Sequence, residues 1–416
     1  MDRMRIVGGK PLNGTVQAGG SKNAALPILF ASLLSEKGCR FERVPDLEDI
    51  RTTLKLLAHL GLEHEAGEGW VKIKPISSSS SDAPYDLVRK MRASVLALGP
   101  LVARFGRARV SLPGGCAIGA RPIGFHLTGL EKLGAEITLE QGYVNAKAKR
   151  LVGAKIRFDF PSVGATENIL MAAVLAKGES VLENCAREPE IVDLARALRA
   201  MGAKIEGEGG EAIHVQGVDS LGECNYAIMG DRIEAGTYLA AGLATRGSVR
   251  VNGIAPEFLE AVLVKLEEAG ARIERGKNSI ALQSTGRAKP TDLTTQPYPG
   301  FPTDMQAQFM AVLAVADGAS IVTETIFENR FMHVPELARL GANITIKGNT
   351  AMVRGCDRLT GAPLMATDLR ASASLVIGAL CADGESIVNR IYHLDRGYER
   401  MEEKLAALGA NVERIK

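Results

Sequence analysis

No apolar run in this 416-residue chain reaches the roughly 18–20 residues that a bilayer-spanning helix requires, so no membrane segment is expected. The first residues, Met1-Asp2-Arg3-Met4-Arg5, lack the apolar core of a signal peptide. Formal charge is nearly balanced at +2, which leaves no global basic field for nucleic acid or an anionic membrane surface. Cysteine is sparse: Cys39, Cys116, Cys185, Cys224, Cys356 and Cys381 are scattered without CxxC spacing. That pattern indicates neither a disulfide framework nor a zinc site. A soluble, cytoplasmic protein is the expectation. The remainder, 46% hydrophobic and 24% charged, is an ordinary globular composition with length for two or three domains.

What is present is a repeat. A Leu-Gly-Ala-like tripeptide recurs six times, with its glycines at 61, 134, 202, 270, 341 and 409, spaced 73, 68, 68, 71 and 68 residues apart. A second glycine keeps step at 38, 106, 178, 247, 318 and 384, each 23 to 28 residues ahead of the first marker. The period is too long for the common solenoids, so each unit reads as a small α/β layer.

The third unit shows its content. Asn168–Ala176 is apolar on nearly every side, as in a helix enclosed by other elements. Gly178 stops it and Ser180–Asn184 alternates as a strand. Glu188-Pro189-Glu190 opens an amphipathic helix through Met201, and two short strands follow at Lys204–Glu206 and Ile213–Val215. With its preceding strand the unit reads βαβαββ. Wholly apolar helices recur at Leu26–Leu34, Val95–Val102, Tyr238–Leu243, Phe309–Ala316 and Ser374–Cys381. Three such helices can bury one another only at the middle of a domain with sheets outside. The expected fold class is therefore α/β, as two inside-out α/β barrels built from six repeats.

The sixth unit stops six residues after its tripeptide, and Met4–Val7 and Gly14–Gln17 at the other end of the chain can supply the missing strands. The expected domains are residues 21–229, and 230–416 closed by 1–20. Crossings near Gly19-Gly20 and Gly230-Asp231 would then form a hinge around a cleft. The Ser77–Ser81 run reads as a solvent loop.

Charges stand where helices disfavour them. Lys22, Arg92, Arg232 and Arg370 each open an apolar helix, opposing the macrodipole at a cost of about 0.3–1 kcal/mol apiece. A bound anion would compensate; pairing with Asp231, Asp304 or Asp368 is the alternative. Cys116 sits in Leu112-Pro113-Gly114-Gly115-Cys116-Ala117-Ile118-Gly119-Ala120-Arg121-Pro122, a segment whose glycines and prolines forbid a regular element. Arg121 nearby favours the thiolate, so Cys116 reads as functional and the other five cysteines as packing. Asp304, in Pro299–Met305, reads on its own as an N-cap carboxylate; a general base held at a cleft is the alternative. The last unit adds Asp368-Leu369-Arg370 and His393-Leu394-Asp395-Arg396-Gly397.

Gly20–Ala25, the Pro113–Pro122 loop, Ser162–Thr166, Phe301–Gln308 and Asp395–Arg400 closely resemble the UDP-N-acetylglucosamine enolpyruvyl transferase family, over essentially the whole chain and in order. The resemblance implies transfer of the enolpyruvyl group of phosphoenolpyruvate to the sugar 3-hydroxyl, a committing step of peptidoglycan synthesis. Lys22, Arg121 and Arg396 would hold the phosphate and carboxylate of phosphoenolpyruvate, with Arg92 and Arg370 shaping the anionic cleft. Asn23 would contact the intermediate. Cys116 would protonate the methylene carbon and can form a covalent phospho-lactoyl adduct; Asp304 would take the sugar hydroxyl proton. Arg121, Pro122, Ile123, Gly124, Phe125, Ser162, Val163, Gly164 and Ile326 would bind the nucleotide-sugar. The resemblance implies no metal or other cofactor, two small-molecule substrates, and no nucleic-acid, membrane or obligate protein partner.

Two positions depart from the family pattern. Phe160 stands where many members carry a lysine toward the diphosphate, and Gly124 where others have aspartate. The enzyme alternative is a shikimate-pathway enolpyruvyl transferase, against which the cysteine loop argues. The non-enzyme alternative is a paralogue that only binds nucleotide-sugar, against which the presence of Cys116, Asp304, Lys22 and Arg396 argues.

Overall fold

Six buried helices organise the chain, and each falls on one of the apolar stretches. They are α1 (Lys22–Ala31), α2 (Leu98–Phe105), α3 (Val163–Ala173), α4 (Arg232–Ala244), α5 (Gln306–Leu313) and α6 (Leu369–Cys381). The computed structural model describes residues 2–76, 80–89, 91–112 and 123–416. Residues 77–79 of the serine run, and Cys116, Arg121 and Pro122 of the cysteine loop, lie outside them. Three of the helices begin or end in 3-10 turns rather than continuous α-helix: Ser32–Leu34 follows α1, Arg92–Ala97 precedes α2, and Thr303–Met305 precedes α5.

The chain divides into two compact units, crossing from one to the other at Gly19-Gly20 and at Met229-Gly230. Within the first unit α4, α5 and α6 pack on one another; within the second α1, α2 and α3 form the core with the turns that flank them. Every residue of α4 is buried, and Asn23 alone in α1 is not fully so. Burial on all faces is what an apolar sequence without a polar stripe requires.

Each helix belongs to a four-stranded sheet of one fixed pattern. In the third repeat the order is Lys155–Arg157, Glu179–Glu183, Ala212–Gln216, Lys204–Glu206, parallel across the first pair and antiparallel across the others. The same pattern holds in all six. The last sheet is completed by the chain's beginning: Arg3–Val7 lies antiparallel between Glu385–Asn389 and Asn411–Ile415. The second N-terminal strand, Asn13–Gln17, does not serve that sheet; it leads the sheet of α4, parallel to Ser248–Asn252. Conversely Cys224–Ala227 leads the sheet of α1, parallel to Cys39–Glu42. The two leading strands are thus exchanged relative to chain order.

The tripeptide marker has a mechanical meaning. All six of its glycines, 61, 134, 202, 270, 341 and 409, have φ between 89° and 106°. Each follows the amphipathic helix of its repeat. The next residue's amide turns back to the helix, as in Leu62 to the Leu57 carbonyl (2.9 Å) and Ala203 to Leu198 (3.0 Å). This is a Schellman cap, which needs a left-handed residue and so selects glycine.

Candidate active site

In the first unit the starts of the three core helices converge. Asp231 caps α4, its Oδ1 accepting from the Ile233 and Glu234 amides at 2.8 and 2.9 Å. Asp368 caps α6 in the same way, accepting from Arg370 and Ala371 at 3.0 Å each. These carboxylates offset the arginines that follow them. Asp304 is not a cap: Pro302 and Met305 occupy the cap positions of its turn and of α5, and neither makes a side-chain cap bond. Its carboxylate instead lies between two buried guanidiniums. Arg330 Nη2 is 2.7 Å from Oδ1 and Arg370 Nη2 is 2.9 Å from Oδ2.

Burial alone would raise the Asp304 pKa, but Arg370 and Arg330 together hold it well below the ordinary carboxylate range. Arg370 is 3% exposed and also donates to the Tyr398 hydroxyl at 3.4 Å. Tyr398 is wedged among Thr237 (2.9 Å) and Gln308 (3.2 Å). Arg396 ends the 3-10 turn Ile391–Arg396 and lies near His393, whose pKa burial and then Arg396 lower. Its neighbour Asp395 is engaged by Arg414, at 2.7 and 2.9 Å. Ile326 is half-buried, its amide donating to Glu324 at 2.8 Å.

In the second unit Ser21 caps α1 by accepting from the Ala24 amide, and Lys22 and Asn23 form the first turn. The anion that meets Lys22 is Asp49, at 2.7 Å and itself buried. That carboxylate was not among those expected to pair with the helix-opening cations. Pro27 lacks the N–H that would otherwise bond to the Asn23 carbonyl.

Ser162 caps α3, and Val163 and Gly164 are its first residues, where amides have no partner within the helix. His126, in the helix Gly124–Lys132, sets its ring beside Gly164. The ring is joined to Asn168 at 2.9 Å. Asn168 accepts from the Gly99 amide through Oδ1 (2.7 Å), so its Nδ2 is the donor to His126 Nδ1 and the imidazole is neutral. Desolvation, and then Arg92, lower the His126 pKa to about 4.

A cavity of about 260 Å³ opens beside Gly124 and Phe125, with Lys132, Arg157 and Asp159 also on its wall. Phe160, the other departure from the family pattern, is exposed next to it.

The structure thus joins Asp304 to Arg370 directly, and gathers Arg92, Phe125 and Gly164 around His126. Arg330, Asp49 and Glu324 had no distinguishing signal in sequence. Asp49 reads as a first-turn acid favourable to its helix, and Asn329-Arg330-Phe331 as a loop.

A protein-family model for EPSP synthase (3-phosphoshikimate 1-carboxyvinyltransferase) matches residues 6–405. A UDP-N-acetylglucosamine 1-carboxyvinyltransferase of Nitratidesulfovibrio vulgaris strain Miyazaki F is 58% identical over 416 residues, covering 100% of both chains. Its counterpart in strain Hildenborough is 59% identical over 415 residues, covering 100% of this chain and 99% of the relative. The chain belongs to the UDP-N-acetylglucosamine 1-carboxyvinyltransferase family.

Family membership agrees with the fold. The enolpyruvyl transferase NikO from Streptomyces tendae matches with a TM-score of 0.88 and 25% identity, over 99% of this chain and 98% of that one. EPSP synthase from Acinetobacter baumannii matches over 100% of both chains with a TM-score of 0.76 and 19% identity, a likeness of fold. Among the described residues no helix is long and apolar enough to cross a membrane.

Proposed function

We propose that this protein transfers the enolpyruvyl group of phosphoenolpyruvate to the 3-hydroxyl of UDP-N-acetylglucosamine and releases phosphate, in the cytoplasm and toward peptidoglycan. The observation that carries this reading is the 58–59% identity, across the full chain, to relatives bearing that activity in their names. Its substrates are two small molecules, and it calls for no nucleic acid, membrane or obligate protein partner.

In the proposed reaction Cys116 gives a proton to the methylene carbon of phosphoenolpyruvate while the sugar 3-oxygen bonds to C2. Asp304 takes the proton that this oxygen loses. The tetrahedral ketal then expels phosphate and loses a methyl proton, restoring the double bond. Enol ether carbons are weak bases, so the step needs a close acid and a field that stabilises the cationic C2. Lys22, Arg121 and Arg396 hold the phosphate and carboxylate, Arg92 and Arg370 complete the anionic cleft, and Asn23 holds the intermediate.

The observed geometry adds a condition. A carboxylate held far below its usual range by two guanidiniums is a poor base. Arg370, assigned to the anionic cleft, is the cation that substrate charge can draw from Asp304, which restores the basicity the step needs. The first-turn amides at Val163 and Gly164 suit a diphosphate. The cavity at Gly124 and Phe125 suits the nucleotide end; Pro122, Ile123 and Ile326 are the remaining nucleotide-sugar residues of this reading. Its Lys132 and Arg157 offer positive charge where Phe160 offers none.

Mass spectrometry of the products tests the reading. The account expects the nucleotide-sugar to gain one enolpyruvyl group; unchanged nucleotide-sugar in the presence of active, folded protein would refute it.

A further inference from the structure

Glu324 follows the strand Ala319–Thr323 and is 2% exposed. Four donors close on its carboxylate. Oε1 accepts from the Thr295 hydroxyl at 2.8 Å and from the Ile326 and Phe327 amides at 2.8 and 3.1 Å. Oε2 accepts from the Thr303 hydroxyl at 2.9 Å. A carboxylate this buried is costly unless fully hydrogen-bonded, and hydroxyls and amides supply that satisfaction here.

The Thr303 hydroxyl has a single hydrogen. A carboxylate only accepts, so that hydrogen points at Glu324 and a lone pair is left facing Arg330 Nη1, 2.8 Å away. Arg330 in turn places Nη2 2.7 Å from Asp304 Oδ1. Its Nε is buried without a hydrogen-bond partner, so the two Nη contacts locate the guanidinium. The order of donors runs one way, from Arg330 through Thr303 to Glu324. A donor in place of Oε2 would turn the Thr303 hydrogen toward Arg330 and set two donors face to face.

We propose that Glu324 is a positioning residue for Asp304: through Thr303 it keeps Arg330 seated on that carboxylate, and through two amides it fixes the turn carrying Ile326. The inference rests on Asp304 acting as the base of the proposed reaction. It also separates the two arginines by role, with Arg330 anchored from behind and Arg370 able to exchange partners. Among the described residues, the charged and titratable groups around Asp304 include Arg330 and Arg370 in contact, Tyr398 and Asp231 acting on Arg370, Glu324 behind Thr303, and His333, on which both Arg330 and Asp368 act. Loosening Arg330 weakens one of the two guanidinium contacts seen on Asp304, so the carboxyl titrates higher.

The test is Glu324→Gln in the full chain, read by carbon-13 NMR titration of the Asp304 carboxyl and by steady-state kinetics. The expected result is an upward move of the Asp304 titration and of the acid limb of kcat/KM. kcat falls roughly tenfold or more while the KM for phosphoenolpyruvate stays within about twofold. Thr303→Val reproduces both effects, Thr303→Ser restores wild-type behaviour, and the Glu324→Gln/Thr303→Val double variant is no worse than either single change.

Glu324→Gln also removes a like charge, which pulls the Asp304 titration down, so the charge-neutral variant decides: a folded Thr303→Val protein with an unmoved Asp304 titration overturns the inference, whether kcat is retained or lost with a lowered melting temperature. If Glu324→Gln does not fold, Thr303→Val carries the same test, since it removes only the relay hydroxyl. Wild-type protein that fails to turn over the substrate pair would refute the proposed reaction, and the NMR titration would still judge the relay.

Discussion

Arg370 Nη2 stands 2.9 Å from Asp304 Oδ2, and each residue opens the core-helix segment of its own repeat. Position in the repeat, more than proximity in sequence, creates this pair. Because Asp304 titrates lower in the folded chain than unfolded, its contribution to stability is present above the ordinary carboxylate pKa of about 3.9. That contribution is lost as pH falls through the lower, folded value. Asp304→Asn leaves Arg330 and Arg370 buried without their shared anion. Discounted for the partial exposure of the carboxylate, the cost should be roughly 2–4 kcal/mol at neutral pH. Urea unfolding of the two proteins checks this, and the gap should narrow as pH drops below about 3.9.

His126 and His333 act at milder acidity. Burial is the first cause for both, and each pKa is lowered to about 4. From about pH 6.5 down to 4 the unfolded chain binds protons that these native imidazoles refuse. Stability therefore rises with pH across that window and is complete above it. Each site accounts for about 3 kcal/mol. Denaturant melts between pH 4 and 7 should show the slope, and His126→Gln should reduce it by up to one proton.

Gly99 tests the close approach of α2 to α3. A Cβ there would fall 2.3 Å from the backbone oxygen of Asn168 and 2.5 Å from its Oδ1. Gly99→Ala should destabilise by about 3 kcal/mol and weaken the Asn168–His126 contact. A melting temperature within one degree of wild type would contradict this packing.

Cys116 is expected to present a nucleophilic thiol. The epoxide antibiotic fosfomycin should alkylate it, and intact-mass analysis of wild type and Cys116→Ala gives the answer. Cys116→Asp should retain proton donation without forming the adduct. Loss of its turnover with substrate binding intact would count against a purely acidic role.

The six-fold architecture was legible because two physical demands recur in every unit. One is an all-apolar helix that must be enclosed; the other is a left-handed cap that selects glycine, as at Gly202 and Gly341. The exchange of leading strands was not legible. Nothing in Asn13–Gln17 or Cys224–Ala227 states which helix it will precede in space, and Gly14–Gln17 was expected only to complete the sixth unit. The helix-opening cations were visible, but their anions were not uniformly so. Asp304 stood with Asp231 and Asp368 among the acids that could pair with those cations, though nothing assigned it to Arg370, whereas Asp49, which meets Lys22, belongs to an ordinary first helical turn. Asp304 alone reads as a cap because an acid at the start of a helix usually is one. The 3-10 turn Thr303–Met305 moves it past the cap position and frees it for the arginines.

Phosphate release measured with phosphoenolpyruvate and each acceptor in parallel tests the central claim most directly. The account predicts release with UDP-N-acetylglucosamine, none with either substrate alone, and none with shikimate 3-phosphate. Release with shikimate 3-phosphate, or tight binding of UDP-N-acetylglucosamine with no phosphate formed, would contradict it.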